Sequence, residues 1–475
     1  MKIPVPEQVD PAEALGRVHF VGIGGASLSG LARIMTARGL TVTGSDAKES
    51  TVLTSLRALG IVCRVGHARA HVEEADTVVV STAIRADNPE VARAGELGLR
   101  VWPRSAAVQS VLLGRKAIVV TGTHGKTTTT SMLTTALLAC GADPSYAIGS
   151  TLNASGLNAA AGTGDIFVAE GDESDAAILA YTPAGAVVTN VDADHLDHFG
   201  SVEAYTQVFD AFLDRIQPEG FVVCCVDDPG AARLADLADD TDLEVIRVGR
   251  GEGCDLRATS LAFAGETSTF EVRAAGRSVG AVALRVPGAH FVVDALAALA
   301  AGLRLGYGFE ALSAGLAGFR GSGRRMEFKG RADGIAVYDS YAHHPAEITA
   351  DLQAARAIAL DGRVVVCYQP HMYSRTRVFG AAMGTALGVA DEVVVMDVYA
   401  AREDPEPGVG GGTVAEAIPL PADRVEFEAD WSKVAARVAE RAHPGDLVLT
   451  MGAGDVTDIG PMVLSLLEQR TSGRL

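Results

Sequence analysis

The chain has 475 residues, 40 Lys and Arg against 59 Asp and Glu for a formal charge of -19, 48% hydrophobic residues and 53 glycines. That length predicts about three domains at roughly 150 residues each, and the glycine-rich, aromatic-poor composition suits an α/β protein. The acidity excludes nucleic acid and anionic lipid as broad partners, while the lack of any signal core or 18-residue apolar run predicts a soluble cytoplasmic protein without membrane insertion.

A strand at Val18 to Val21 runs into Gly22-Ile-Gly24-Gly25-Ala-Ser27 and an amphipathic helix to about Arg38; a second strand ends at Ser45-Asp46. This is a βαβ opening of the Rossmann kind, with Asp46 near the distance of a ribose-binding acid and Ser27 in place of the third glycine. A dinucleotide, another nucleotide-bearing ligand and a purely structural turn all remain open. A further strand, Asp76 to Ala83, brings Ser81 to the same edge, and the pattern loosens from Trp102 to Arg115. The six cysteines are scattered with no C-x-x-C pair and read as reduced core residues.

A second α/β unit begins at Lys116. Its first strand feeds Gly122-Thr123-His124-Gly125-Lys126-Thr127-Thr128, a loop whose glycines can turn backbone N-H groups toward phosphate oxygens. Lys126 supplies a cation and Thr127 a hydroxyl for Mg²⁺, so ATP is the expected ligand; only two residues separate the glycines, fewer than in the common form. Carboxylates follow the next strand in Glu170-Gly-Asp172-Glu173-Ser-Asp175, where a divalent cation is expected. Asp192-Ala-Asp194-His195-Leu-Asp197-His198 ends another strand. By ligand chemistry alone His195 suggests Zn or Mn, although no set with structural-zinc spacing is present. Asp255 to Val286 alternates apolar and polar residues, predicting a small antiparallel appendage; a helix is expected from about His290, and Leu316 to Arg325 reads as a linker.

The third segment predicts strands near Ile335, Val364, Glu392 and Leu447 in another parallel sheet. Asp339-Ser-Tyr341-Ala-His343-His344-Pro-Ala-Glu347 follows one strand and Gln369-Pro-His371-Met372-Tyr373-Ser374-Arg375-Thr-Arg377 another. Arg, His and Tyr at equivalent strand ends suit carboxylate or phosphate recognition.

In this order the glycine turn, the short phosphate loop, the two acidic strand ends, the His-His-Pro element and the Pro-His-Met-Tyr-Ser-Arg-Thr element resemble the Mur ligase family, from about Val18 to Gly454. The resemblance implies three α/β domains: a Rossmann-like domain over 1–112 for a UDP-sugar, a central P-loop ATPase domain over 113–320, and a Rossmann-like domain over 321–475 for an amino acid. The implied reaction joins L-alanine to the lactyl carboxylate of UDP-N-acetylmuramic acid through an acyl phosphate, with ATP and Mg²⁺ (or Mn²⁺), by a monomer or weak homo-oligomer whose domains close before chemistry. Gly22, Gly24, Gly25, Asp46, His67 and Ser81 would then serve the UDP end. Gly122 through Thr128, with Asp294, Arg324, Arg325 and Asp339, would serve ATP. Thr127, Glu170 and His195 would hold Mg²⁺, and Tyr341, His343, His344, Arg375 and Arg377 the amino acid. Lys126, Glu170, His195, His343 and Arg375 would be catalytic. Three departures from the family pattern stand out: Phe291 and Asp294 where asparagines are usual, Met372, and Ser27. A murein tripeptide-recycling ligase is the alternative inside the family, against which Glu347 is taken to speak; an NAD-dependent oxidoreductase is the alternative outside it.

Overall fold

The computed structural model describes residues 3–85, 87–401 and 403–473. It contains three sheets carried by two compact units, one formed by Met1–Ala258, Val272–Gly280 and Val293–Gly318, the other by Thr259–Glu271, Ala281–Val292 and Phe319–Leu475.

In the first unit the N-terminal sheet is all parallel, in the order Val62–Val65, Val42–Asp46, Val18–Val21, Thr77–Val80, Arg100–Pro103. Val18–Val21 and Thr77–Val80 are buried at every position, as expected of strands covered on both faces. Ser27 lies inside the helix Ala26–Ala37 and outside the left-handed region, so the backbone tolerates its Cβ. The loosened stretch is in fact the edge strand Arg100–Pro103 followed by the helix Arg104–Leu112, which is buried from Ser105 to Leu112. A helix buried all round has no polar face and hence no 3.6-residue signature.

The second sheet of this unit has Lys116–Thr121 at its centre, between Ile166–Glu170 and Gly185–Val188, with Phe221–Cys225 and Glu244–Gly249 beyond. All these pairings are parallel, so the carboxyl ends of the central strands share one edge, where ligands of open α/β sheets bind. Three strands, Leu256–Ala264, Thr267–Ala274 and Arg277–Leu284, whose residues are divided between the two units, occupy the expected appendage. The helix Lys126–Ala139 starts directly at the phosphate loop.

The second unit carries a six-stranded sheet in the order Glu327–Ala332, Ile335–Ser340, Leu447–Met451, Val364–Tyr368, Glu392–Met396, Val425–Glu428. Only the first pairing is antiparallel. The stretch read as a linker is largely folded: the helix Phe309–Ala317 covers its start, and Phe319, Ser322 and Met326 are buried beyond it. Among the described residues no helix is long and apolar enough to cross a membrane.

Candidate active site

The phosphate loop is shaped by two glycines. Gly122 has φ 132° and a Cβ there would lie 2.9 Å from the Asn190 carbonyl oxygen; Gly125 has φ 79° and a Cβ would lie 2.7 Å from Asp294 Oδ1. Both positions combine left-handed backbone with no room for a side chain. The loop is pinned to the neighbouring strand end: Thr123 N donates to Asn190 O at 3.1 Å and His124 N to Asn190 Oδ1 at 2.8 Å. Thr123 Oγ1 lies 2.9 Å from the buried Tyr205 hydroxyl.

Lys126 Nζ donates to Gly122 O at 2.7 Å and Thr123 O at 2.9 Å, and lies 2.9 Å from Glu173 Oε2. Burial works against the ammonium, but the adjacent Glu173 charge outweighs it and holds the Lys126 pKa above its ordinary value. Glu173 itself is fully buried. His195 Nε2 is 3.6 Å from Glu173 Oε1 and 3.6 Å from Asp194 Oδ2, with His195 held at φ 53°. Thr127 Oγ1 donates to Glu170 Oε1 at 2.9 Å, and Gly149 N donates to the other Glu170 oxygen at 2.5 Å. A hydroxyl and a carboxylate side by side at the start of a 14-residue helix are the hard oxygen donors Mg²⁺ takes, so these residues fit a nucleotide–cation pair. Thr128 is buried in the first helical turn, and Asp294, also buried, packs on Gly125. Sequence reasoning missed Glu173 as the partner of Lys126, and Asn190 and Tyr205 as supports of the loop; the motif quoted for Glu170 already contained Glu173, but only the folded chain shows which carboxylate meets the lysine.

In the N-terminal sheet Gly22 has φ 86° and its N-H donates to Ser45 O at 2.8 Å. Gly24 N donates to Asp46 Oδ2 at 2.9 Å, and a Cβ on Gly24 would meet the same oxygen at 2.9 Å. Gly25 caps the helix Ala26–Ala37. Ser81 stands across the turn, its Cβ 3.1 Å from where a Gly22 Cβ would be. His67 Nδ1 lies 3.0 Å from Ser45 Oγ and 3.1 Å from Glu90 Oε2.

The second unit gathers the other predicted residues, with two exceptions. His343 Nδ1 is 3.0 Å from Tyr341 O, and its ring lies 6.0 Å from that of His371, which in turn stands 3.5 Å from Arg375 Nη1. Arg375 is buried at 8% exposure. Arg324 and Arg325 each place a guanidinium 5.0 Å from the Tyr341 ring centre, a cation–π arrangement. Arg377 is an exception: it is 60% exposed and its nearest acid is Glu406 at 3.6 Å, on the surface. Asp339 is the other: it is fully buried, its oxygens accepting from Thr450 and Thr457 at 2.7 Å each, with Arg324 Nε 3.3 Å away. It anchors Arg324. His344 caps the helix Pro345–Ala359. Phe291 is buried in ring contact with His290, and Met372 has φ 68°.

Comparison with known proteins agrees with this layout. Residues 17–116 match the Mur ligase family, catalytic domain; residues 120–302 the Mur ligase middle domain; and residues 324–454 the Mur ligase, glutamate ligase domain. A UDP-N-acetylmuramate–L-alanine ligase of Nocardioides sp. (strain ATCC BAA-499 / JS614) is 59% identical over 468 residues, covering 98% of this chain and 100% of the relative. The crystal structure of a UDP-N-acetylmuramate-alanine ligase from Thermotoga maritima superposes with TM-score 0.80 at 27% identity, covering 96% and 99% of the two chains. A murein peptide ligase from Psychrobacter arcticus gives TM-score 0.70 at 25% identity, covering 95% and 99%. With three domains matched in sequence order and identity running end to end, this chain belongs to the Mur ligase family.

Proposed function

We propose that the chain is an ATP-dependent, ADP-forming ligase that joins L-alanine to the lactyl carboxylate of UDP-N-acetylmuramic acid in peptidoglycan precursor synthesis in the cytoplasm. The observation that carries this reading is the 59% identity, over essentially the full length of both chains, to a ligase of that name. Among the solved structures the murein peptide ligases superpose less closely, with TM-scores of 0.70 and 0.59 against 0.80 for the alanine ligase. Oxidoreductase chemistry has no support in the matched domains.

In the proposed reaction the lactyl carboxylate attacks the γ-phosphorus of ATP, giving an acyl phosphate and ADP. The amine of L-alanine then adds to the acyl carbon, inorganic phosphate leaves, and the amine loses a proton. Lys126, released from its loop carbonyls, neutralises charge on the transferring phosphoryl group. Thr127 and Glu170, with His195 nearby, would hold Mg²⁺ (Mn²⁺ as substitute), which when bound screens the phosphate charges. Arg375, with His343 and Tyr341, takes the alanine carboxylate; Arg324, placed by Asp339, and Arg325 remain the proposed nucleotide contacts of their segment. The glycine turn with Asp46, His67 and Ser81 takes the UDP end, and the proposed domain limits are 1–112, 113–320 and 321–475. Holding the partners in register removes a large entropic barrier, up to roughly 7 to 11 kcal/mol.

Purified protein with ATP, Mg²⁺ and UDP-N-acetylmuramate is expected to release ADP in step with added L-alanine. Equal turnover with no L-alanine, or with a murein tripeptide only, would refute the assignment.

A further inference from the structure

Glu90 is fully buried, yet it is the second residue of the helix Pro89–Glu96, capped by Asn88, whose Oδ1 accepts from Glu90 N at 2.9 Å. Around its carboxylate four polar groups converge. Oε2 accepts from Ser45 Oγ at 2.6 Å and faces His67 Nδ1 at 3.1 Å; Oε1 faces His71 Nδ1 at 2.6 Å and accepts from Ala68 N at 3.3 Å. A third histidine, His19, places Nε2 3.8 Å from Oε2 and Nδ1 2.8 Å from Thr43 Oγ1. Burial pushes the Glu90 carboxyl up, but the nearby His19 and the bonds from Ser45 and His71 overcome it and hold its pKa at about 2.

An ionised carboxylate accepts hydrogen bonds and cannot donate them. Nδ1 of His67 and of His71 is therefore the donor in each contact, and in the Nδ1-H tautomer of either ring Nε2 is left as an acceptor. For His67 this has a direction. Its Nδ1 edge is turned to Glu90 and Ser45, the side chain keeps 18% exposure, and the Ser45 carbonyl accepts from Gly22 N and Ile23 N at 2.8 and 3.0 Å. Glycine turn, Ser45, Glu90 and His67 are thus joined by consecutive hydrogen bonds at one edge of the sheet.

We propose that Glu90 is a positioning residue that locks His67 as the Nδ1-H tautomer, so that His67 Nε2 is a fixed acceptor for an N-H or O-H of the uridine diphosphate end of the substrate. The inference rests on the reading that the glycine turn receives that nucleotide. Nothing in the sequence signals it, because Glu90 lies 23 residues from His67 and 45 from Ser45.

The test is long-range ¹H–¹⁵N NMR on the full chain, with His67 assigned by loss of its signals in His67→Gln. Without ligand, the His67 Nε2 resonance is expected at the unprotonated position. In Glu90→Gln the amide NH₂ must face one of the Nδ1-H groups, so an Nε2-H signal is expected to appear and UDP affinity to fall about ten-fold. UDP is expected to move the His67 Nε2 resonance; N3-methyl-UDP losing that shift would name the imide as donor, and 2′-deoxy-UDP losing it the ribose hydroxyl. A wild-type Nε2-H tautomer overturns the inference, and this holds even if Glu90→Gln fails to fold. If UDP shifts the Gly24 amide and leaves His67 unmoved, the inference alone is overturned; if it shifts neither, the nucleotide reading itself fails.

Discussion

Lys126 has its three ammonium protons directed at Gly122 O, Thr123 O and Glu173, and under the proposed mechanism the cost of removing it falls on phosphoryl transfer. Lys126→Ala is expected to abolish ADP release while circular dichroism stays that of the parent; measurable turnover would show that this cation is dispensable. Arg375 is nearly buried, and a charge-assisted bond from it to a carboxylate is worth about 1.5 to 3 kcal/mol. Arg375→Ala is accordingly expected to raise the alanine KM at least ten-fold with a smaller change in kcat, read from initial rates at varied L-alanine. Glu90 ties its titration to stability. Its folded pKa, about 2, lies below the ordinary 4.5, so the unfolded chain takes the proton more readily. The resulting stabilisation, about 3 kcal/mol, is fully present above about pH 4.5 and is lost as pH falls toward 2. Urea titrations across that window are expected to show this slope in the parent and a shallower one in Glu90→Gln; equal slopes would contradict it.

At the scale of elements, the strand-to-loop junctions were readable because phosphate chemistry leaves residue types at fixed spacing: Gly122, Gly125, Lys126 and Thr127 fall in one turn, and Glu170 ends the neighbouring strand. What escaped has a physical reason in each case. The helix Arg104–Leu112 is buried on all sides and so carries no amphipathic period. The edge strand Glu327–Ala332 alternates poorly, is bulged near Gly330, and was absorbed into neither linker nor sheet. Arg377 shares a motif with Arg375 but not its helix face, a distinction that needs the helix register. Glu347 gains a different meaning: its carboxylate accepts from His343 N at 3.0 Å and His344 N at 3.3 Å, closing a capping box on the helix Pro345–Ala359. Its presence therefore says less about substrate than the sequence alone suggested. Glu347→Ala is expected to cost about 1 kcal/mol of stability, with Glu347→Gln recovering most of it in thermal melts; identical melts for the two variants would argue against the cap.

At the scale of the molecule, the chain comprises two compact units, so it need not melt in one step. A nonhydrolysable ATP analogue with Mg²⁺, at about 100 times its Kd, adds about 2.7 kcal/mol to whichever unit binds it. Calorimetry is expected to show the transition of the unit containing Lys126 moving up by several degrees, and the shift vanishing with EDTA or in Lys126→Ala. A shift that survives both would place the nucleotide elsewhere. The lysine contacts also bear on how a turnover ends. If Lys126 leaves its loop for the transferring phosphoryl group as proposed, the two loop carbonyls and Glu173 are the berth open to it once inorganic phosphate has gone. On that reading the protein's own acceptors would compete with the product for the same cation, and phosphate inhibition is expected to be weak in initial-rate assays.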